Sequence, residues 1–309
     1  MRIGIGIGEI GGTPATIDSL IEQTQAAERD GFASAWFANI FGFDAMTACA
    51  LCGHATSRIE VGTAVVPTYP RHPLAMAQQA LSVNAACRGR FALGIGLSHQ
   101  IVIEGMLGMS FAKPFSHMRE YMAVLAPLVR EGKVSHQGQE YRVEANLAVT
   151  GAKAPPILIA ALAPKMLALA GTQADGTITW MTGPKTLREH TIPAISGAAS
   201  KAGRPAPRVV VGLPVAVADD AAEARETGSR AFQIYGMLPS YRAMLDREAA
   251  GGPADVALVG DESAIGEQIE HLAGIGVTDF LAAIFPVGKD PRASIARTRS
   301  LLVKLAARR

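Results

Sequence analysis

The feature that most constrains the fold of this chain is a regular alternation of short apolar runs with longer helical patterns. Eight of these runs have the β-branched and apolar composition of buried strands. They occupy residues 2–7, 34–38, 59–66, 90–96, 155–162, 176–180, 208–217 and 277–285. Right-handed crossovers place each connecting helix outside a parallel sheet, so eight such units match a closed barrel. We predict an α/β fold, a single (β/α)8 TIM-type barrel over residues 1–309.

Two connections are longer than this alternation requires. The fourth run is followed by an insertion over residues 97–115, then by a helix over 117–130 and a polar, hairpin-like stretch over 135–143. Extra helical sequence over 219–250 precedes the eighth run. Long insertions of this kind usually carry function or cover a site. In such barrels the reactive groups cluster at the carboxyl ends of the strands.

Composition excludes several other classes of protein. The chain is 49% apolar and 18% charged, which supports a large core and excludes a disordered or fibrous chain. Its net charge of +2 comes from mixed signs without a basic run, so we expect no nucleic-acid partner. Without a signal peptide or a run of about 18 apolar residues, we expect no membrane association and a cytoplasmic location. The three cysteines fit a reducing compartment and build no disulfide framework.

One short motif suggests a different fold. The sequence "GIGEIG", with Gly6, Gly8 and Gly11, satisfies the G-x-G-x-x-G dinucleotide fingerprint, and Glu28 or Asp30 follows at a suitable distance. However, the pattern of eight units has no break at mid-chain, which argues against two nucleotide-binding halves. Glycines that ease close packing at a barrel mouth are the favoured interpretation.

Motifs for other chemistries are weak or absent. Cys49 and Cys52 form a C-x-x-C, but helical spacing in an apolar run explains them better than a redox or metal pair, and we predict no metal site. The sequence contains no G-x-S-x-G, H-E-x-x-H or Walker loop, so hydrolase and phosphotransferase functions lack support.

Four segments together resemble the bacterial luciferase-like superfamily, particularly the branch that uses the deazaflavin coenzyme F420. They are "GTAVVPTYPRHP" at 62–73, "AQQALSVNAACRGRFALGIG" at 77–96, "ADGTITWMTGP" at 174–184 and "ALVGDESAIGEQIEHLAGIGVTDF" at 257–280. The resemblance extends over essentially the whole chain.

The resemblance implies a special end to the third strand. In deazaflavin members this strand ends in a bulge with a non-proline cis peptide behind the cofactor ring, and the matching bond here is Ala64–Val65. The stiff exit "PTYPRHP" would help to hold it. Composition alone favours an ordinary proline-rich loop.

Two further strand ends carry candidate residues for the ring and for proton transfer. Asn39 matches a position where relatives often place an aspartate or histidine near the ring; its alternative role is that of a turn residue. Gly96, Leu97 and Ser98 match cofactor-binding positions, and His99 falls where sugar-phosphate-oxidising relatives carry an acid catalyst. A histidine there can move a proton at neutral pH, although a simple loop histidine fits equally well.

The cofactor's phosphate tail is expected at the next two strand ends. The turn containing Ala161, Leu162 and Ala163 matches the family's phosphate-binding turn and precedes a helix N-terminus. The second wall would be formed by Trp180, Met181 and Thr182, unless Trp180 belongs to the core and Thr182 caps a helix. A weaker candidate for substrate contact is Glu9, beyond the first strand.

The resemblance therefore implies an F420-dependent oxidoreductase that transfers a hydride between the deazaflavin C5 and a small organic substrate, with His99 as proton carrier. An FMN-dependent luciferase-like monooxygenase and a catalytically inactive cofactor-binding protein remain the alternatives. A homodimer is common among relatives and is expected here.

Overall fold

The computed structural model describes residues 1–8 and 15–308. Gly11 of the glycine motif and Glu9 lie outside the described residues. The strands are β1 (Arg2–Ile7), β2 (Ser34–Phe37), β3 (Glu60–Thr63), β4 (Val66–Pro67), β5 (Phe91–Gly96), β6 (Lys133–Gln137), β7 (Arg142–Asn146), β8 (Ile157–Ile159), β9 (Gly176–Trp180), β10 (Arg208–Val217), β11 (Leu258–Gly260) and β12 (Asp279–Ile284).

The predicted barrel is confirmed. Parallel pairing runs in the order β10-β12-β1-β2-β3-β5-β8-β9, and β9 pairs with β10 to close the ring. The strands of this ring correspond one for one to the eight predicted runs. Outside the ring, β11 extends β10, and β4 continues the line of β3 alongside β5. The insertion after the fourth barrel strand, β5, is also confirmed, and β6 and β7 form its antiparallel hairpin.

Helices cover the outside of the barrel. They are α1 (Ile17–Arg29), α2 (Ala45–His54), α3 (Pro73–Ala86), α4 (Gln100–Gly105), α5 (Pro114–Glu131), α6 (Pro164–Gln173), α7 (Pro184–Thr186), α8 (Ile192–Lys201), α9 (Ala221–Ala231), α10 (Gln233–Met237), α11 (Pro239–Glu248), α12 (Glu262–Gly274) and α13 (Pro291–Ala306), with a π-helical turn over Leu187–Thr191 and a 3-10 turn over Pro253–Val256. The extra helices predicted before the eighth strand are α9, α10 and α11. No helix within the described ranges is both long and apolar enough to span a bilayer.

The barrel interior is filled in layers. At the amino-terminal end, Arg208 donates to both carboxylates of Glu60 and Asp279 at 2.6–3.2 Å. Above this ionic layer, Trp36 is fully buried, and Gly62 leaves room for its ring. A Cβ on Gly62 would lie 2.7 Å from Trp36 Cε3. Side chains therefore fill the lower barrel, and we call the carboxyl end of the barrel the mouth.

The carboxylate that the dinucleotide motif would require has a structural role instead. Glu28 accepts hydrogen bonds from the backbone N–H groups of Ser57, Arg58 and Ile59. Partial burial raises the pKa of Glu28, but these hydrogen bonds outweigh that effect and lower it to about 2. Glu28 thus fixes the entry to β3.

Candidate functional site

The mouth has an apolar floor made by Ala64, Val65 and Ala160. These three side chains are partly exposed and pack on the buried layer that contains Trp36. The Ala64–Val65 peptide is cis, as the resemblance predicts, and it lies between β3 and β4. A Cβ on Gly96 would lie 2.7 Å from Val65 Cγ2, so glycine at this position gives Val65 its space.

The stiff segment after this bond is anchored on helix α5. The Tyr69 ring stacks on the ring of His117 with centroids 3.9 Å apart and an interplanar angle of 2°. Thr68 Oγ1 lies 2.9 Å from His117 Nε2, and the hydroxyl of Tyr121 donates to the carbonyl of Arg71 at 3.0 Å. Burial lowers the pKa of His117 to about 4, so the stacked imidazole is neutral. Helix α5 therefore holds the exit from the floor in place.

His99 lies at the start of α4, beyond the end of β5. Gly96 is buried at the end of that strand, Leu97 and Ser98 are half-buried, and Ser98 has a φ of 61° where the chain turns. The His99 ring lies 5.4 Å from the ring of Tyr241. Burial lowers the pKa of His99, which favours a neutral imidazole able to accept a proton.

An aromatic wall, formed by Trp180, Phe232, Tyr235 and Tyr241, adjoins His99. Tyr241 contacts Tyr235 at 5.5 Å, and Tyr235 contacts Trp180 at 5.7 Å between ring centroids. The indole Nε1 of Trp180 is buried and has no hydrogen-bond acceptor within the described part of the chain. Sequence reasoning missed the three residues from the extra helices; the signal was an uncharged, aromatic stretch over residues 231–241.

The first predicted phosphate turn has an open helix N-terminus. Ala161 is buried, Leu162 is half-buried, and Ala163 is exposed at the N-cap of α6, where no side chain caps the helix. His190 Nε2 donates to the carbonyl of Leu162 at 2.8 Å and holds the turn. The first N–H groups of α6 are therefore free to meet an anion.

The second predicted wall is less open. Trp180 is half-buried, but Met181 and Thr182 are fully buried. The carboxylate of Glu248 accepts hydrogen bonds from the N–H groups of Lys185 and Thr186 at 3.0 and 2.7 Å, and so caps α7. Of the two predicted phosphate turns, the one before α6 is accessible, whereas Glu248 occupies the one before α7.

Asn39 has a capping role. Its Oδ1 accepts a hydrogen bond from the N–H of Ala45 at 3.1 Å, at the start of α2. The amide nitrogen is the part of this half-buried side chain that remains available.

The cysteines form no site. Cys49, Cys52 and Cys87 are all buried, and burial raises the pKa of each thiol. Residues 1–8 and 15–308 contain no cluster of three or more side chains suited to a metal ion.

The rim of the mouth is unusually apolar. Ten large apolar side chains are exposed among the described residues, and seven of them lie on the segments between β2 and α2 and between β5 and α5. The seven are Ile40, Phe41, Phe43, Ile101, Met106, Leu107 and Met109. Two more, Ile234 and Met237, lie on α10, whose Tyr235 belongs to the aromatic wall, and the tenth, Leu51, lies on α2. This concentration marks the mouth as a binding surface.

Comparisons with known proteins show which sequences this chain resembles. A protein of Mycobacterium tuberculosis provisionally named a coenzyme F420-dependent oxidoreductase is 33% identical over 199 residues. That alignment covers 60% of this chain and 57% of the relative, less than two thirds of its length. The 5,10-methylenetetrahydromethanopterin reductase of Methanolobus tindarius is 29% identical, with 89% of this chain and 84% of that protein covered.

The fold has matches among solved structures. The coenzyme F420-dependent tetrahydromethanopterin reductase of Methanopyrus kandleri superposes with a TM-score of 0.80 and 21% identity, over 98% of this chain and 99% of that one. The family model for luciferase-like monooxygenase matches residues 2–279. The chain therefore belongs to the luciferase-like monooxygenase family, as its sequence motifs predicted.

Proposed function

We propose that this protein is an F420-dependent oxidoreductase that transfers a hydride to or from a small organic substrate. The observation that carries the proposal is the combination, at one barrel mouth, of an apolar floor and an uncapped helix N-terminus. The names of the relatives that it resembles support the choice of cofactor.

The residues present fit a deazaflavin. A flat, largely apolar ring suits the floor of Ala64, Val65 and Ala160. The buried indole N–H of Trp180, which has no acceptor within the described residues, would donate a hydrogen bond to a polar atom at the edge of the ring. The anionic tail suits the N-terminus of α6, where Lys165 is exposed in the first turn. When bound, the deazaflavin supplies the hydride donor or acceptor.

The protein's own residues then have three tasks. Ala64 and Val65 orient the ring from below, and the aromatic wall restricts access of water from the side. His99 is the group that exchanges a proton with the substrate, since it lies at the mouth and its lowered pKa keeps the imidazole neutral near pH 7. No side-chain nucleophile is needed.

Two alternatives rest on specific observations. The family description names monooxygenases, which favours FMN and oxygen as the rival chemistry. The use of Asn39 as a helix cap, in place of a charged residue near the ring, favours a cofactor-binding protein without catalysis. The homodimer remains a prediction, and a small-molecule substrate is part of the proposal.

A fluorescence titration distinguishes these functions. The purified chain is mixed separately with F420 and with FMN, and quenching of each cofactor's fluorescence is followed. We expect submicromolar binding of F420 and much weaker binding of FMN. Submicromolar binding of FMN alone would refute the proposed cofactor. Tight F420 binding without hydride transfer to or from a panel of enones, imines and alcohols would favour the inactive binder.

A further inference from the structure

The charge at the mouth points to the class of substrate. Three segments contribute to its rim: residues 37–43 and 96–103, at the ends of β2 and β5, and residues 231–241, which carry three members of the aromatic wall. None of them contains an Asp, Glu, Lys or Arg, and His99 is their one titratable imidazole. Because burial lowers the pKa of His99, this ring adds no positive charge near neutral pH.

The charged side chains next to these segments already have partners. Asp44 forms an ion pair with Arg71. The carboxylate of Glu104 accepts from Gln100 Nε2 at 2.8 Å and from the N–H of Phe111 at 3.2 Å, so it is directed at its own loop. An ionic substrate would therefore find no free counter-charge along these three segments, and its desolvation there would be uncompensated.

The same segments offer apolar contact instead. Phe41, Ile101 and Met237 are exposed by 68, 70 and 66%, and they belong to three different segments of the rim. The His99–Tyr241 ring contact brings the second and third segments together. A ligand that contacted these three side chains would remove their apolar surface, and its own, from water.

We infer that the substrate is an uncharged organic molecule with an extended apolar skeleton, and not a phosphorylated sugar or another anion. This inference rests on the proposed function, because it assigns the space above a bound cofactor to the substrate. The polar reacting group would face His99, and the apolar skeleton would extend along the rim.

A homologous series of ketones tests the inference without turnover. Dissociation constants for 2-butanone, 2-hexanone, 2-octanone and glucose 6-phosphate are measured by saturation-transfer NMR, with and without oxidised F420. We expect affinity to rise about threefold to fourfold for each added methylene, the increment typical of apolar burial. Glucose 6-phosphate should bind more weakly than 2-octanone.

Matched variants locate the contact. Met237→Ser should weaken 2-octanone binding roughly fivefold and 2-butanone binding less, because only the longer chain reaches the rim. Leu51→Ser, at an exposed apolar position on α2, should leave both unchanged. Since all these side chains are exposed, the variants are expected to fold, and circular dichroism checks this.

The outcomes separate this inference from the proposed function. If F420 binds but the ketones show no chain-length dependence, or glucose 6-phosphate binds most tightly, the inference is wrong and the proposed function stands. If F420 does not bind while the chain-length dependence persists, the cofactor is wrong and the apolar site stands. If Met237→Ser dissociates a dimer in sedimentation and leaves ketone binding unchanged, the rim serves a second copy of the chain and the inference fails.

Discussion

Substitution of Gly96 by alanine gives a direct test of the floor. The added Cβ would lie 2.7 Å from Val65 Cγ2 and 3.3 Å from Ala160 Cβ, both of which belong to the floor. Ordinary carbon contacts are about 3.5–4.0 Å, so Val65 must move by roughly 1 Å. We expect Gly96→Ala to weaken F420 binding about tenfold or more, because the surface beneath the ring is displaced.

The same substitution has a calculable effect on stability. Overpacking of a buried site costs about 1–3 kcal/mol, while replacing glycine by alanine at a permitted φ recovers about 0.4–1 kcal/mol through the unfolded state. The net expectation is a loss of roughly 0.5–2 kcal/mol in the free energy of unfolding, measured by urea denaturation.

Gly266→Ala is the matched control for this experiment. Gly266 lies inside α12, and an added Cβ would meet nothing within 4 Å. This variant should be as stable as the wild type or up to about 1 kcal/mol more stable, with unchanged F420 binding. If Gly96→Ala binds F420 like the wild type despite a measured loss of stability, the ring does not lie on this floor.

Three further predictions concern titration and stability. Tyr241→Ala should expose the imidazole of His99 to water and raise its pKa toward 6.5, which moves the acid limb of the kcat/KM profile to higher pH. His99→Gln should abolish that limb. An unchanged pH profile in both variants would show that His99 transfers no proton. Glu28 has a pKa of about 2 in the folded chain against 4.5 when unperturbed, so its stabilisation is complete above pH 4.5 and is lost as the pH falls toward 2. At 1.36 kcal/mol per pKa unit, and reduced for the partial exposure of Glu28 to solvent, this stabilisation amounts to roughly 1–2 kcal/mol. The difference in unfolding free energy between the wild type and Glu28→Gln should therefore narrow below pH 4.5. A difference that does not change with pH would contradict the stabilising role of the Glu28 carboxylate. Asp279→Asn removes a buried charged partner of Arg208 and should lower the free energy of unfolding by about 3 kcal/mol. Its F420 affinity should stay the same, because the ion pair lies at the end of the barrel opposite the mouth. A large change in F420 affinity would show that the two ends of the barrel are coupled.

The sequence was sufficient to predict the barrel for physical reasons. Strands buried on both faces appear as continuous apolar runs, and each of the eight predicted runs overlaps a strand of the ring. The region over 219–250 was predicted as helical, and it contains α9, α10 and α11. Phe232 and Leu238 interrupt it as half-buried cap residues, and Pro239 begins α11.

The site was less predictable because it depends on contacts between distant segments. The candidate residues that follow β5, β8 and β9 were proposed from motifs, and the barrel places these strand ends together. Tyr241 contacts His99, which lies 142 positions earlier in the sequence, and Glu248 caps α7 at Thr186, 62 positions earlier. Tyr241 and Glu248 both belong to α11, one of the extra helices. Neither partner in those contacts has a local pattern that predicts the other.

A crystal structure of the complex with F420 would show directly whether the cofactor binds at the mouth. We predict the deazaflavin ring in van der Waals contact with Ala64 and Val65, and the phosphate within hydrogen-bond distance of the first free N–H groups of α6. Density for the cofactor away from the mouth, or a ring at the mouth that does not contact Val65, would contradict it.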